Sequence, residues 1–440
     1  MNEITKKLIE AVKNDLTPSL GVTEPGAIAY TAAEASKAIG GRVLSVSAKL
    51  NSGVYKNSFT CAVPGTGGMG CALAAALGAV CGDPDKKLMA TEGASFEDIG
   101  KARQLVSEGK ATAELSSISP EIRIEAEVKT ENGLASALIT GKHDHIAELT
   151  VNGSTVFREE AAGKAEETGF KVSSVSLYTL LDCIEEAEEL DFVDEAVKMN
   201  LTLFEEGEKK GLMPLTTARR GFDHAVISSP RDRADHYTCG AIEARVRGAN
   251  SPAMAITGSG SHGILCTLPV HCAAEYYGFS DRQRRRALLL SMLVTMFIKE
   301  NSGLLSTACG CVLAGGTGAC LGITYLFARN AYGPNEPKRD RAAVVRMLTD
   351  ALNSMAASVT GMICHGGNSG CSLKASVGVN MAFSAAEMAL DGAGAESVHG
   401  ILGDTPEETM RNMGRIARDM LPVEKTILDI MSCKSRQDLL

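Results

Sequence analysis

The hydrophobic pattern of the chain changes near residue 173, and this change constrains the fold more than any other feature. After that point, apolar residues recur at helical spacing in long segments separated by glycine-rich loops. Before it, short segments alternate apolar and polar residues around Asn-Gly turns, as is typical of antiparallel strands. The alternating segments are Ile122–Val128, Ala135–Gly141 and Ile146–Val151. We therefore expect an α+β fold, with an antiparallel sheet and helices in residues 1–172 and a mainly α-helical domain with glycine-rich loops in residues 173–440.

Helical spacing also predicts individual helices in both parts of the chain. They include Ile4–Asp15, Gly26–Ile39, Cys71–Val80, Asp281–Lys299, Gly310–Phe327 and Leu373–Leu390. The polar segment Asn330–Arg341, which contains two prolines, is predicted to be an exposed linker.

Composition and charge exclude several classes of protein. The 440 residues are 45 % hydrophobic, which is enough for one large or two medium cores. The net charge of −9 argues against a nucleic-acid partner, which would need a basic face. The chain start lacks the apolar region of a signal peptide, and the apolar segment Arg286–Ile298 is shorter than the roughly 20 residues of a membrane span. We expect a cytoplasmic protein with no membrane partner.

Four of the 13 cysteines lie in two small-residue, glycine-rich segments. Cys309 and Cys311 belong to the first segment, Cys364 and Cys371 belong to the second, and apolar stretches flank both. Their spacing matches neither zinc-ribbon nor ferredoxin patterns, and cysteines that only pack in a core are the alternative. In a reducing compartment, thiols that converge on one buried point are what an iron–sulfur cluster or a structural zinc requires.

Other residues are candidates for acid–base chemistry. His262, in the loop Thr257–Gly263, and His365, next to Cys364, carry imidazoles that titrate near neutrality. Lys299 and Glu24 lie at the end and the start of predicted helices. For these two, favourable interaction of a charged side chain with a helix terminus is the structural alternative to catalysis.

Six short motifs occur in an order that resembles a known family. This order is similar to that of the L-cysteine desulfidases, which are related to the α-subunit of iron–sulfur L-serine dehydratases. The resemblance extends over essentially the whole chain. The motifs are Thr23-Glu24-Pro25, Pro64–Gly70, Glu92–Ile99, Gly258–Gly263, Ser306–Cys311 and Gly361–Cys364.

The resemblance implies an activity, a cofactor and a set of site residues. Members of that family are [4Fe–4S] lyases that convert L-cysteine to pyruvate, ammonia and hydrogen sulfide. The implied cluster ligands are Cys311, Cys364 and Cys371, with Cys309 as a competitor for one place. The first domain would bind the amino-acid substrate and the second would carry the cluster and the catalytic residues. The implied substrate pocket is lined by the two glycine loops, with candidate residues Thr66, Gly67, Gly68, Ser259 and Ser261.

The chain departs from the family pattern at two places. Val22 stands where the family usually has a cysteine, and Cys364-His365-Gly366-Gly367-Asn368 replaces the usual Cys-Asp-Gly-Ala-Lys. With valine at position 22, the base must come from elsewhere. Two alternatives to cysteine desulfuration stay open: dehydration of L-serine or another β-hydroxy acid, and a cluster- or zinc-binding protein without catalysis. The abundance of apolar helices predicts a homodimer.

Overall fold

The computed structural model describes residues 1–159, 170–219, 228–330 and 340–434. Most of the predicted linker Asn330–Arg341 lies outside these residues. The helices are α1 Glu3–Asp15, α2 Thr23–Ile39, α3 Ser52–Ser58, α4 Cys71–Cys81, α5 Phe96–Ser107, α6 Leu177–Glu186, α7 Phe192–Lys209, α8 Pro214–Ala218, α9 Pro230–Val246, α10 Gly260–Tyr276, α11 Asp281–Ser302, α12 Thr317–Asn330, α13 Arg341–Val359, α14 Gly370–Leu390, α15 Pro406–Asp419 and α16 Leu421–Ser432. The strands are β1 Thr17–Leu20, β2 Val43–Asn51, β3 Ala111–Ser117, β4 Arg123–Thr130, β5 Gly133–Thr140, β6 Ile146–Val151, β7 Ser154–Arg158 and β8 Pro252–Ala255.

The architecture confirms the α+β prediction. Six strands form one sheet in the order β3-β2-β4-β5-β6-β7, in which β2 and β3 run parallel and the other neighbours are antiparallel. The three predicted strands correspond to β4, β5 and β6. Strands β3 and β7 were not predicted, because their side chains are mostly exposed and give little apolar alternation.

The first hydrophobic core lies between the sheet and the helices α2 and α4. Alternate residues of the central strands point into it, as Ile124, Ala126 and Val128 do from β4. Leu305, which precedes the first cysteine pair, also packs into this core. The two cores therefore meet next to the cysteine segments.

The second core is helical. It is built mainly from residues after position 170, but Leu8, Ile9 and Val12 of α1 pack into it as well. The N-terminal helix thus belongs by its packing to the C-terminal half. The division at residue 172 stays a prediction.

An apolar stretch runs from Cys311 to Arg329, through a π-helical turn at Cys311–Gly316 and into α12. Among the described residues, it is the one helical stretch long and apolar enough to cross a membrane, but almost all of it is buried inside the protein. Such burial on all sides is typical of the central helix of a large core. Helix α12 contacts α11, α13 and α14, and these neighbours cover its faces.

Candidate functional site

A short antiparallel β-bridge joins the two cysteine segments. Ala308 pairs with Ile363, the amide of Cys309 donates to the carbonyl of Met362 at 2.7 Å, and the amide of Cys364 donates to the carbonyl of Thr307 at 2.6 Å. Backbone hydrogen bonds therefore hold Cys309 and Cys364 side by side, although 55 residues separate them in the sequence (364 − 309 = 55).

All four candidate thiols line one pocket. The sulfur atoms of Cys309 and Cys311 are 3.8 Å apart. The thiol of Cys364 lies 3.6 Å from Asn57 Oδ1, and the thiol of Cys371 lies 3.5 Å from the carbonyl oxygen of Gly366. The predicted convergence of the two segments on one largely buried point is therefore present in the fold.

The pocket lies where the two cores meet. Val22, Glu24, Asn57 and His143 line it from the N-terminal part of the chain. From the helical part, the predicted residues that line it are His262, Ser259, Ser261, Lys299, Cys309, Cys311, Cys364 and Cys371. Both parts of the chain therefore contribute polar side chains to one site.

The structure does not bring Thr66, Gly67 and Gly68 into this pocket. The Thr66 hydroxyl donates to the Val63 carbonyl at 2.8 Å and accepts from the Gly68 amide at 3.0 Å. Arg103 donates to the Thr66 carbonyl. The polar groups of the loop are used in its own turn, so the expectation that both glycine loops line one pocket is corrected. The substrate-binding role of these three residues stays a prediction.

His365 lies outside the pocket as well. It is exposed, and its Nδ1 is 3.1 Å from the Asn368 side chain within the same loop. This contact orders the turn between Cys364 and Cys371. A catalytic role for His365 stays a prediction without support from the position of the side chain.

Buried cations lie near the thiols, and two of them, Arg245 and Lys374, were not predicted. Arg245 lines the pocket and is 2 % exposed, and Lys299 is 3 % exposed. Lys374, one helical turn after Cys371, has a buried ammonium with no hydrogen-bond partner among the described residues, and its charge interacts with all four thiols. Among the described residues that line the pocket, Glu24 is the one carboxylate, so the formal balance of these four groups with neutral thiols is +2 (3 − 1). Such a site favours bound anions or thiolates.

Helix N-termini add to this positive potential. The first turns of α2, α10 and α14 carry the pocket residues Glu24, Ser261 and Cys371, and the π-helical turn before α12 begins at Cys311. Unpaired amides at a helix N-terminus attract negative charge. The first pair of thiols responds to this environment: a hydrogen bond from the Cys311 thiol, together with Lys374, lowers the pKa of Cys309, while that contact raises the pKa of Cys311.

A chain of hydrogen bonds fixes the orientation of His262. The Thr257 hydroxyl donates to the Ile256 carbonyl at 2.7 Å and lies 2.7 Å from His262 Nδ1. With the single hydroxyl proton directed to the Ile256 carbonyl, Nδ1–H donates to Thr257 and Nε2 keeps a free lone pair. Burial, with the nearby Lys299 and Arg245 charges, lowers the pKa of His262 well below its usual value. The imidazole is therefore neutral and able to accept a proton.

The backbone of Thr257 is held in an unusual conformation. Its φ is +50°, a region that β-branched residues rarely adopt and that costs of order 1–3 kcal/mol. The side chain of Asp15 accepts a short hydrogen bond from the Thr257 amide, and this contact helps to hold the conformation. Strain of this kind is concentrated at functional sites.

Gly310, between the two cysteines of the first segment, allows a close approach. A Cβ at this position would lie 2.7 Å from His262 Nε2 and 3.2 Å from Lys299 Nζ. The side chains of both catalytic candidates, His262 and Lys299, therefore lie close to the Gly310 backbone, next to the thiols. Burial lowers the pKa of Lys299 to about 8, and its ammonium donates to the Leu304 carbonyl at 3.1 Å.

Thiols are the ligand type that iron–sulfur clusters and structural zinc sites use, so the donor type of the pocket fits such a group. No group of three or more His, Cys, Asp or Glu side chains in the described ranges is arranged to hold one ion. Four thiols from two loops line one pocket with buried cations, and thiolates are the ligands that hold iron–sulfur clusters. The unpartnered Lys374 ammonium beside the thiols also fits an anionic thiolate–cluster unit.

Fold and site together define a class: an α+β protein whose buried pocket combines thiols, cations and a neutral histidine. The comparisons with known proteins agree. The model of the serine dehydratase alpha chain family matches residues 147–429, which include every pocket residue of the helical part. The chain belongs to this serine dehydratase-like family.

Relatives of similar length occur in several bacteria. A UPF0597 protein of Clostridium botulinum (strain Okra) is 35 % identical over 96 % of this chain and 98 % of its own length. UPF0597 proteins of Nitratidesulfovibrio vulgaris (strain DP4) and Geobacter sulfurreducens are each 33 % identical, over 92 % and 96 % of this chain and 94 % and 97 % of their own lengths. The similarity therefore extends over both parts of the fold.

Proposed function

We propose that the protein is an iron–sulfur-dependent lyase that eliminates the β-substituent of a small α-amino acid, with L-cysteine as the first candidate substrate. One observation carries the proposal: four thiols from two bridged segments line a pocket that also holds buried cations and a neutral, oriented imidazole. Membership of the serine dehydratase-like family supports the reaction class.

Three thiolates would hold the cluster, namely those of Cys364, Cys371 and either Cys311 or Cys309. A [4Fe–4S] cluster bound by three protein ligands supplies a Lewis acid at its fourth iron, which makes a β-thiolate or β-hydroxide a better leaving group. The positive surroundings, Lys374 above all, would stabilise the charge of the thiolates.

His262 and Lys299 would carry out the proton transfers. The free Nε2 of His262 takes the proton from the substrate Cα, and the ammonium of Lys299 gives a proton to the departing group. The bond between Cβ and the substituent breaks as the Cα–Cβ double bond forms. The resulting enamine is released and takes up one water, so L-cysteine yields pyruvate, ammonia and hydrogen sulfide.

A substrate panel tests this proposal. Protein purified without oxygen and supplied with L-cysteine should release pyruvate and sulfide in equal amounts. His262→Ala should lower kcat by about 100-fold or more, because positioned acid–base catalysis contributes 10²–10⁴-fold. His365→Ala should lower it little, because His365 lies outside the pocket. If protein that contains its cluster turns over neither L-cysteine nor L-serine, the proposed reaction is wrong for these substrates.

L-Serine is the second candidate substrate, favoured by the serine dehydratase alpha chain match. The same base and acid would then remove the Cα proton and protonate a departing hydroxide. Pyruvate without sulfide would identify this reaction. The homodimer and the cytoplasmic location predicted from the sequence remain proposals beside it.

A further inference from the structure

Arg245 is a buried cation whose hydrogen-bonding capacity is only partly used. The guanidinium donates from Nη1 to Ser261 Oγ at 2.9 Å and from Nη2 to Thr23 Oγ1 at 3.1 Å. Its Nε has no partner among the described residues. Each Nη carries a second hydrogen, so at least two donors on the fork remain for a ligand in the pocket that Arg245 lines.

No carboxylate in the described part of the chain forms an ion pair with Arg245. The two partners that it has are neutral hydroxyls. A charge without a counter-ion in this environment is costly, and a planar guanidinium fork matches a carboxylate in geometry and charge. The hydroxyls of Ser261 and Thr23, at the N-termini of α10 and α2, hold the guanidinium in place without neutralising its charge.

Glu24 supplies the complementary charge in the same pocket. Its Oε1 accepts from Asn57 Nδ2 at 2.8 Å and lies 3.9 Å from Nε2 of His143. No described residue donates to its other oxygen. Burial lowers the pKa of His143, so this imidazole is neutral and does not cancel the charge of Glu24.

We propose that Arg245 binds the α-carboxylate of the substrate and that Glu24 binds its α-ammonium group, which makes the pocket specific for zwitterionic α-amino acids. Both side chains line the same pocket, and no hydrogen bond or ion pair joins them among the described residues. The inference rests on the proposed function for the identity of the reaction, but it concerns recognition alone. It gives Glu24 a binding role in place of the catalytic one considered from the sequence.

Calorimetric titration under anaerobic conditions separates recognition from turnover. The probes are L-alanine, which has no β-leaving group, L-alaninamide, which lacks the carboxylate, and L-lactate, which lacks the ammonium group. The wild-type protein should bind L-alanine at least about tenfold more tightly than either of the other probes, because each lacks one charge-assisted contact.

Two variants test which side chain binds the carboxylate of the amino acid and which binds its ammonium group. Arg245→Met should remove the preference for L-alanine over L-alaninamide, and Glu24→Gln should remove the preference over L-lactate. Arg245→Lys keeps the charge but not the fork and should retain part of the first preference. Iron and sulfide content should stay at the wild-type level in all three variants.

The outcomes distinguish this inference from the proposed function. Equal binding of the three probes by the wild-type protein overturns the inference without any variant that could fail to fold. Loss of iron in Arg245→Met with the L-alanine preference unchanged would assign Arg245 to the thiolates instead, since its charge also interacts with Cys371 and Cys311. If the preferences hold and no amino acid is turned over, the proposed reaction fails while the binding site stands.

Discussion

At the scale of single residues, the Thr257 hydroxyl decides which nitrogen of His262 can accept a proton. When its proton is directed to the Ile256 carbonyl, the hydroxyl accepts from Nδ1, and the lone pair then lies on Nε2, beside Gly310. This arrangement is a positioning effect, because Thr257 acts through His262 and not on the reacting atoms. The positive φ of Thr257 costs conformational free energy, and this cost accompanies the placement of the hydroxyl.

Replacing Thr257 tests this arrangement. Thr257→Val removes the hydroxyl and keeps the shape, so we expect kcat to fall by about 10- to 100-fold as the tautomer and orientation of His262 are lost. Thr257→Ser keeps the hydroxyl and should retain most of the wild-type kcat. The KM should change little in both variants. Equal kcat values for the two variants would show that the hydroxyl does not orient the base.

Some residues of the site could be predicted from the sequence and others could not. His262 and Glu24 could be found because short motifs contain them, and Lys299 could be found because it ends a predicted helix. Arg245 and Lys374 could not, because each lies in a regular helix and only tertiary packing buries its charge beside the thiols. For Lys374, a cation within an otherwise small-residue, largely apolar helix segment was the available signal. Thr23, the first residue of α2, accepts a hydrogen bond from Arg245.

At the scale of elements, a buried ion pair connects the cysteine segments to the C-terminal helix α16. Lys56 of α3 contacts Glu424 of α16 at 3.0 Å, and both side chains are almost fully buried. Glu424 also accepts from the Thr307 hydroxyl at 3.1 Å, and the Asn57 carbonyl accepts from the Gly367 amide. Helices α3 and α16 therefore support both cysteine segments from behind.

Breaking this pair should destabilise the protein. Glu424→Gln leaves Lys56 buried without a counter-ion, and we expect the free energy of unfolding to fall by about 3–5 kcal/mol. The double variant Lys56→Met, Glu424→Leu removes both charges and should recover most of that loss. Urea denaturation measures both. Glu3→Gln, which breaks the exposed pair with Lys7, is the matched control and should change nothing measurable. An equal loss in the single and the double variant would contradict this account.

The long elements were predictable and the polar ones were not. The helix predicted as Asp281–Lys299 is α11, and the helix predicted as Leu373–Leu390 is α14 with one more turn at its start. The strong apolar periodicity of these two segments made both helices predictable. The segment predicted as one helix, Gly310–Phe327, begins with a π-helical turn, a local rearrangement that side-chain spacing does not encode and that is frequent at functional sites.

At the scale of the whole molecule, the pocket is a junction between two hydrophobic cores. Leu305 packs into the sheet core just before the thiols, while Cys309 and Cys311 belong to the helical core. Neither core alone holds the full set of polar side chains. The excess positive charge near the thiols can be recognised only in the whole molecule, because the three cations come from three separate helices, α9, α11 and α14.

Removing the cluster should therefore destabilise the protein where the two hydrophobic cores meet. Without an anionic centre, the charges of Arg245, Lys299 and Lys374 would repel each other in a poorly solvated pocket. We expect cluster-free protein to unfold at a temperature several degrees lower than the loaded protein, since a ligand that binds only the folded state stabilises it. Differential scanning calorimetry compares the two forms. Identical midpoints would mean that the charges are balanced without the cluster.

The central claim, that the two cysteine segments hold an iron–sulfur cluster, is tested most directly by iron and sulfide analysis of anaerobically purified protein. We predict about four irons and four sulfides per chain, with a brown colour that air bleaches. Cys364→Ser should lose most of the iron, and Cys433→Ser, which changes an exposed thiol that does not line the pocket, should keep it. Colourless wild-type protein with stoichiometric zinc, or Cys364→Ser with its full iron content, would contradict the account.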